Sequence, residues 1–395
     1  MSTYPTNLGA TGTEKYKICI SYNLCAELIR PLAYRHITFD GHTQSATDRF
    51  FYFARLMAPG SENSSVKASW AHSLWLRRDV FEEYEGQDYP RKFAKAFTDL
   101  LPRLTLLREI SLRMIISVQN FEIITHCHAP NLKKMVITFQ CRDWPRILPL
   151  MKHFTVLQDL HLIIHNGNPI VNVEGGHNLQ NLRSLELDVG KASTYVLSWL
   201  NRATLPKFTV FRVRATLSLD LATLSFFMSR HGANLTTFGW DGHNPGITTA
   251  VYPYLPHLLR LEISPPFKIL ELLQDMPISV TEVVLSRLGH YIGYYARCLE
   301  QMARAVEQLP YGSALRSFRV VEQDQFLGPL PYSWKTELQK KKTRSLDLWK
   351  MFMEGAAQML ALGVIVVDEE GVLLTDALNE MNELQRLNGS HGLID

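Results

Sequence analysis

Several features that would place this 395-residue chain in a common functional class are scarce or absent. No run of about 18 apolar residues occurs, so the sequence predicts no transmembrane helix. The opening MSTYPTNLGATGTEKYK lacks the apolar centre of a signal peptide, so we expect the protein in the cytosol or the nucleus. The five cysteines are widely spaced, which in a reducing compartment predicts free thiols. A net charge of +3 is too small to indicate nucleic acid or a membrane as partner.

The sequence also lacks the local motifs of enzymes. It contains no G-x-S-x-G, no H-E-x-x-H, no Walker loop and no kinase motif set. A catalytic triad assembled from distant residues stays open, because triads form in space rather than in sequence. We therefore expect no enzyme activity, no catalytic residue, no cofactor and no metal.

Three short segments carry reactive or charged residues that have a simpler interpretation. ITHCHAP (124–130), with Cys141 downstream, offers metal-ligand types, but the spacing matches no closed zinc site, and we interpret it as a loop before a strand. KKKTR (340–344) resembles a nuclear-import signal, and a solvated charge run is the alternative. DEEG (368–371) predicts a hairpin turn rather than a pair of catalytic carboxylates.

What the sequence does contain is a repeat. Nine segments fit apolar-x-x-apolar-x-apolar, and their successive starts differ by 25, 25, 25, 26, 27, 23, 22 and 35 residues. Near-constant intervals of this size lie in the range of leucine-rich repeats. The segments are LREISL (107–112), LKKMVI (132–137), LQDLHL (157–162), LRSLEL (182–187), FTVFRV (208–213), LTTFGW (235–240), LLRLEI (258–263), VTEVVL (280–285) and LRSFRV (315–320).

Between these strands, apolar residues recur at the spacing of one helical face. The predicted helices cover 146–154, 192–203, 221–232, 267–276, 294–309 and 345–362, and 364–367 would be the last strand. The strands alternate apolar and polar residues, as in Leu185-Glu186-Leu187, whereas the strands of a doubly wound sheet are apolar on both faces. The pattern therefore predicts a parallel sheet with one packed and one polar face.

The chain from about residue 64 to 367 thus resembles leucine-rich-repeat proteins, with 64–76 as an imperfect first repeat. The resemblance implies an α/β solenoid with parallel strands on the concave face, helices on the convex face and a short helical remnant at the N-terminus. The Asn or Cys usual after the last strand leucine is missing. Ile115, Gln140, His165, Gly190 and Thr216 stand there instead, so the side-chain ladder of that family is not expected.

The segment SYNLCAELIRPLAYRHITFDG (21–41) is similar to the end of the F-box in fungal F-box proteins with leucine-rich repeats. In that family the last F-box helix leads into the first strand of the solenoid. The resemblance implies contacts to a Skp-type adaptor. The residues that would make them are Leu24, Leu28, Pro31, Leu32 and Tyr34.

The Leu-Pro-x-Glu-type opening of an F-box is not found in the first twenty residues. Two explanations stay open: the gene model starts too late, or the protein has lost ligase recruitment and kept the solenoid. We expect a disordered N-terminus (1–17), an F-box-like remnant (18–40), a solenoid (41–367) and a C-terminal hairpin with a capping helix (368–395). Thr375 or Asp376 would cap that helix.

A protein partner would contact the polar strand residues, which should point to the concave face. This surface is mixed in charge, which suits a protein better than a polyanion. The residues expected there are His161, Glu186, Asp188, Arg212, Arg214, Asp241, Arg260 and Glu262. The alternative that they form only the solvated face of the strands stays open. The family resemblance implies the substrate-recognition subunit of a cullin-type, SCF-like ubiquitin ligase, and a stand-alone interaction scaffold is the alternative.

Overall fold

The structure is a computed structural model in which the chain divides into two compact units. One unit is Met1–Phe139 with Arg146–Leu157, and the other is Gln140–Pro145 with Gln158–Asp395. The structure describes residues 31, 34–39, 44–61, 63–76, 89–165, 178–189, 193–214, 220–241, 245–263, 269–286, 292–309, 313–321, 346–377 and 379–380. The predicted disordered segment 1–17 lies outside these residues, as do KKKTR and the end of the predicted capping helix.

The described part of the first unit contains four parallel strands that pair in chain order. The strands are β1 (His36–Phe39), β2 (Ser73–Leu76), β3 (Glu109–Ile115) and β4 (Lys134–Gln140), whose last residue belongs to the second unit. The helices are α1 (Gln44–Leu56), α2 (Ser64–Ser69), α3 (Tyr89–Leu100), α4 (Val118–His128) and α5 (Trp144–Met151), whose first two residues belong to the second unit.

The described part of the second unit contains eight parallel strands, again paired in chain order. They are β5 (Asp159–His165), β6 (Ser184–Val189), β7 (Val210–Arg214), β8 (Thr237–Asp241), β9 (Arg260–Ile263), β10 (Glu282–Ser286), β11 (Ser317–Val321) and β12 (Ile365–Val367). The helices are α6 (Ser193–Leu200), α7 (Leu221–His231), α8 (Pro245–Val251), α9 (Ile269–Gln274), α10 (Ile292–Glu307) and α11 (Leu346–Ala361).

The α/β class and the alternation of parallel strands with helices confirm the predicted fold class. All nine repeat segments contain a strand, and each strand begins two residues after the first apolar residue of its pattern. That first residue belongs to a tight turn. In the repeat of β6, the Leu182 N–H donates to the Leu179 carbonyl at 3.1 Å, and both side chains are buried. The turn fixes where the extended backbone starts.

A second buried apolar position, three residues before five of the nine patterns, was not recognised from the sequence. Leu104, Phe154, Leu179, Leu205 and Leu255 all lie in the core. The carbonyl of each accepts the N–H of the first apolar residue of its pattern, three positions later, and this hydrogen bond closes the turn. The repeating unit is therefore longer than the strand pattern alone, and its extra apolar residue anchors the turn beneath the sheet.

Backbone hydrogen bonds at the strand starts join consecutive repeats. The Gln158 carbonyl accepts the N–H groups of Arg183 and Ser184 at 2.8 and 3.0 Å, and the Arg183 carbonyl accepts those of Thr209 and Val210, both at 2.9 Å. Comparable double acceptance recurs between most successive repeats. Each carbonyl uses both lone pairs, so consecutive repeats are locked in one register.

Two predicted local structures were wrong. ITHCHAP was interpreted as a loop, yet 124–128 are the last residues of α4, which Ser117 caps by accepting the Asn120 N–H at 3.2 Å. The predicted caps Thr375 and Asp376 lie inside a helical turn that begins at residue 374. The predicted turn at 368–371 is confirmed, because the Asp368 carboxylate accepts the Glu370 and Val372 N–H groups at 3.1 and 2.8 Å.

Packing of aromatic rings joins helices to strands in the second unit. Phe227 on α7 contacts Phe211 on β7, with ring centroids 4.9 Å apart, and the edge of Phe208 at 6.0 Å. Phe227 is fully buried, whereas its neighbour Phe226 is 60% exposed. Adjacent residues of one type therefore occupy opposite environments on the same helix.

These two phenylalanines give a matched test of the core. Phe227→Ala should lower the free energy of unfolding by about 3–5 kcal/mol, because it removes a buried ring and leaves a cavity. Phe226→Ala should change it by no more than about 0.5 kcal/mol. Urea unfolding followed by circular dichroism measures both. Equal losses in the two variants would contradict the placement of α7 on the sheet.

Candidate partner-binding face

The polar side chains of β5–β11, together called the polar face here, stand in rows because the strands are in register. In the central row, His161 pairs with Glu186, Glu186 with Arg212, Arg212 with Gly239, and Gly239 with Glu262. A second row brings together Asp188, Arg214 and Asp241. The sequence predicted these outward positions, and the register places them side by side.

Glu186 is the centre of the first charge cluster. Arg214 on the next strand reaches its carboxylate at 2.7 Å, and His161 on the preceding strand lies 3.7 Å away. Burial alone would raise the pKa of Glu186, but the neighbouring His161, Arg214 and Arg212 lower that pKa below its ordinary value. The carboxylate therefore stays ionised at neutral pH and holds the surrounding cations in place.

The second cluster is a row of side chains of alternating charge that runs from β7 to β11, and we call it the guanidinium ribbon. Its members are Arg212, Glu262, Arg260, Glu282 and Arg319. Arg212 donates to both carboxylate oxygens of Glu262, from Nε to Oε2 at 2.5 Å and from Nη2 to Oε1 at 2.8 Å. Arg260 bonds both glutamates at 2.9 Å, and Arg319 reaches Glu282 at 2.7 Å. Each carboxylate is therefore shared by two arginines.

The ribbon ends on the turn after β12. Arg319 Nη1 donates to the carbonyls of Asp368 and Glu369, at 3.3 and 3.0 Å. Burial would raise the pKa of Glu262, but hydrogen bonds and charge from Arg212 and Arg260 lower it below the ordinary value. The pKa of Arg212 is raised, because the bond to Glu262 outweighs the effect of burial.

Gly239 makes the long reach of Arg212 possible. Arg212 lies on β7 and Glu262 on β9, so the arginine must cross β8 at Gly239. A Cβ atom at Gly239 would lie 2.9 Å from Arg212 Cγ and 3.3 Å from its Cβ. The glycine thus leaves the space in which the arginine side chain crosses the strand.

Parts of this arrangement were missed from the sequence. Glu282 was not singled out, although it occupies the same repeat position as Arg260. Gly239 was not among the residues expected to contact a partner. Val284, in register with Glu262 and Arg319, is a buried apolar residue in the same row. The spacing of the repeat was the available signal for Glu282, whereas no sequence pattern indicates a bond between residues two strands apart.

The predicted adaptor contacts lie mostly outside the described residues. Leu24, Leu28 and Leu32 are not described, whereas Pro31 and Tyr34 are half-buried. The Tyr34 ring packs on Trp70 and Phe53, with centroids 6.0 and 6.4 Å apart. Tyr34 therefore links the start of β1 to the core of the first unit, and its contact with an adaptor stays a prediction.

The candidate metal ligands of 124–141 serve other roles in the structure. His128 is buried, and its Nε2 donates to the Leu101 carbonyl at 2.9 Å. Cys127 and Cys141 are free thiols whose pKa values are raised by burial. Within the described ranges, no group of three or more His, Cys, Asp or Glu side chains is arranged to hold a metal ion.

Among the described helices, none combines the length and apolar character needed to cross a membrane. No protein-family model matches the chain, and no curated protein shows significant similarity. Among solved structures, a crystal structure of a Bacteroides fragilis protein, a Northeast Structural Genomics Consortium target, matches at 14% identity with a TM-score of 0.37. The match covers 85% of this chain and 82% of the other. A TM-score of 0.37 is too low to show that the two proteins share a fold.

The role of Gly239 can be tested by a double-mutant cycle. Gly239→Ala should lower the free energy of unfolding by about 1–3 kcal/mol, because the added methyl group forces Arg212 away from Glu262. In an Arg212→Ala background, the same change should cost less by about 1 kcal/mol or more. Urea unfolding of the four proteins gives the coupling. Additive effects would mean that Arg212 does not cross Gly239.

Proposed function

We propose that this chain is a non-catalytic, protein-binding scaffold whose partner lies against the polar face of β5–β11. The observation that carries the proposal is the alignment of charged side chains in rows across seven successive parallel strands. Ion pairs hold these side chains, so a partner would meet a surface that is already ordered. Ordering before binding reduces the entropic cost of association.

The mixture of charges on the face supports a protein as the partner. Arg214 and Arg212 stand next to Glu186 and Glu262, so neither sign extends over a large area. Alternating charges favour one arrangement of complementary groups over others, which gives specificity and orientation. A densely charged polymer of one sign would be repelled by about half of the groups on this face.

A covalent capture experiment tests the scaffold proposal. A photoreactive benzophenone amino acid at Ser184 or Ser317, which are polar-face positions, should give a covalent adduct with the same partner protein in cells that express the chain. The matched positions Ser198 and Ser229 are exposed serines on α6 and α7, and they should give no adduct with that protein. Mass spectrometry identifies the adducts. Adducts restricted to the helix positions, or none at any position, would contradict the proposal.

A second candidate function is the substrate-recognition subunit of a cullin-type ubiquitin ligase. Support comes from the motif Pro31-Leu32-Ala33-Tyr34-Arg35, which stands directly before β1. The family that this motif resembles places its last F-box helix at that position. In this proposal, the chain holds a protein substrate on the polar face while an adaptor binds near residues 18–35.

Co-elution with a Skp-type adaptor tests the ligase proposal. A ligase subunit should elute with the adaptor at equal stoichiometry on a sizing column. Leu28→Asp should abolish co-elution, because it places a charge in the predicted contact. Leu106→Asp is the matched control, since Leu106 is an exposed leucine in the same unit. Separate elution of the two folded wild-type proteins would leave the scaffold without a ligase link.

A further inference from the structure

The arginines of the guanidinium ribbon have more N–H donors than the ribbon uses. A guanidinium carries five N–H groups on three nitrogens. Arg212 bonds through Nε and Nη2, while Arg260 and Arg319 each bond through Nε and Nη1. Arg212 Nη1, Arg260 Nη2 and Arg319 Nη2 thus have no hydrogen-bond partner among the described residues. Within the described part of the chain, these three terminal nitrogens are available to a ligand.

The arginines also lie outside the glutamates. The side chains of Arg212, Arg260 and Arg319 are 29%, 34% and 25% exposed, whereas those of Glu262 and Glu282 are 9% and 17% exposed. Three arginines against two glutamates leave one net positive charge. A molecule approaching the ribbon therefore meets guanidinium groups first, with their carboxylates beneath.

We infer that the guanidinium ribbon is the docking site for a short carboxylate-rich segment of the partner protein. This inference rests on the proposed scaffold function and names the chemistry of its ligand. A carboxylate accepts the paired N–H groups of a guanidinium in a planar geometry, and the fixed arginines lose little freedom on binding. The surplus of one positive charge suits a few aspartate or glutamate side chains.

The rest of the polar face excludes a longer polyanion. Beside the ribbon, Glu186 lies in the central row, and Asp188 and Asp241 stand on either side of Arg214 in the next row, so three carboxylates outnumber one guanidinium there. A nucleic acid or polyphosphate that covered the ribbon would extend over these carboxylates and be repelled. A short acidic segment can end before them. The charge order of the face therefore favours an acidic peptide.

Arg260→Gln is the most informative variant, because it removes the most exposed guanidinium of the ribbon without leaving either carboxylate unpaired. Glu262 keeps Arg212, and Glu282 keeps Arg319. Arg304→Gln is the matched control, since Arg304 lies on α10, pairs with Glu300 and carries the same charge. Arg319→Gln provides a second variant, in which Glu282 keeps Arg260. Equal thermal unfolding temperatures for the four proteins show that the fold is intact.

The probe is a short fluorescein-labelled peptide of alternating glutamate and serine, with the glutamine–serine peptide as its neutral counterpart. Fluorescence anisotropy with the full-length chain measures the affinity at low and at physiological salt. We expect the acidic peptide to bind the wild type and Arg304→Gln with affinities within about twofold of each other. Arg260→Gln and Arg319→Gln should each bind the acidic peptide roughly tenfold more weakly, because each variant loses one pair of charge-assisted hydrogen bonds.

Three results would overturn the inference. One is no binding of the acidic peptide, and another is equal loss in Arg260→Gln and Arg304→Gln, which would show a non-specific charge effect. The third is tighter binding of an oligouridylate RNA with the same dependence on Arg260, which would make a phosphate polymer the ligand. Photo-crosslinking from Ser184 and Ser317 is a separate readout, so a partner captured there without peptide binding would remove this inference and leave the scaffold proposal standing.

Discussion

The carbonyl group before each strand from β5 to β10, which accepts two N–H groups from the next repeat, is the constraint on which the described second unit depends. The series runs from Gln158 through Arg183, Thr209, Thr236 and Leu259 to Thr281. Because both lone pairs are used, the strands cannot slide past one another without losing two hydrogen bonds per repeat. A slip of one residue would also turn the buried leucines outward and the charged residues inward. Register is therefore fixed twice, by the backbone and by the core.

Fixed register has a direct consequence for the charges. Residues at the same repeat position become neighbours about 4.8 Å apart, so their side chains must be compatible across strands. On the polar face, Glu186 faces Arg212 in the register and forms an ion pair with Arg214, and Arg260 stands beside Glu282. Half-buried carboxylates would cost free energy if they were alone, and shared arginines offset that cost. Gly239 extends this pairing across a strand that has no charge in the central row.

The strands could be predicted from the sequence because one pattern repeats with nearly constant spacing. The start of each strand could not, since the turn at the first apolar residue depends on a hydrogen bond to the residue three positions earlier. Helix α4 was missed because its apolar residues do not define one face, although Ser117 offered a capping signal. The candidate site was predicted as a set of outward residues. The hydrogen bonds and ion pairs of that site depend on side-chain conformations and join residues on strands that are tens of residues apart in the sequence. No local sequence pattern encodes them.

The paired state of the arginines decides what kind of recognition the polar face can support. A solitary surface arginine must be ordered when it binds, and this cost reduces its contribution to affinity. In the ribbon, Glu262 and Glu282 have already ordered the guanidinium groups of Arg212, Arg260 and Arg319. The same glutamates lower the net charge, so attraction at long range is weak and falls further with salt. A surface of this kind can discriminate by the geometry of hydrogen bonds at short range, which is the property that the proposed scaffold would need in order to select one acidic segment among many.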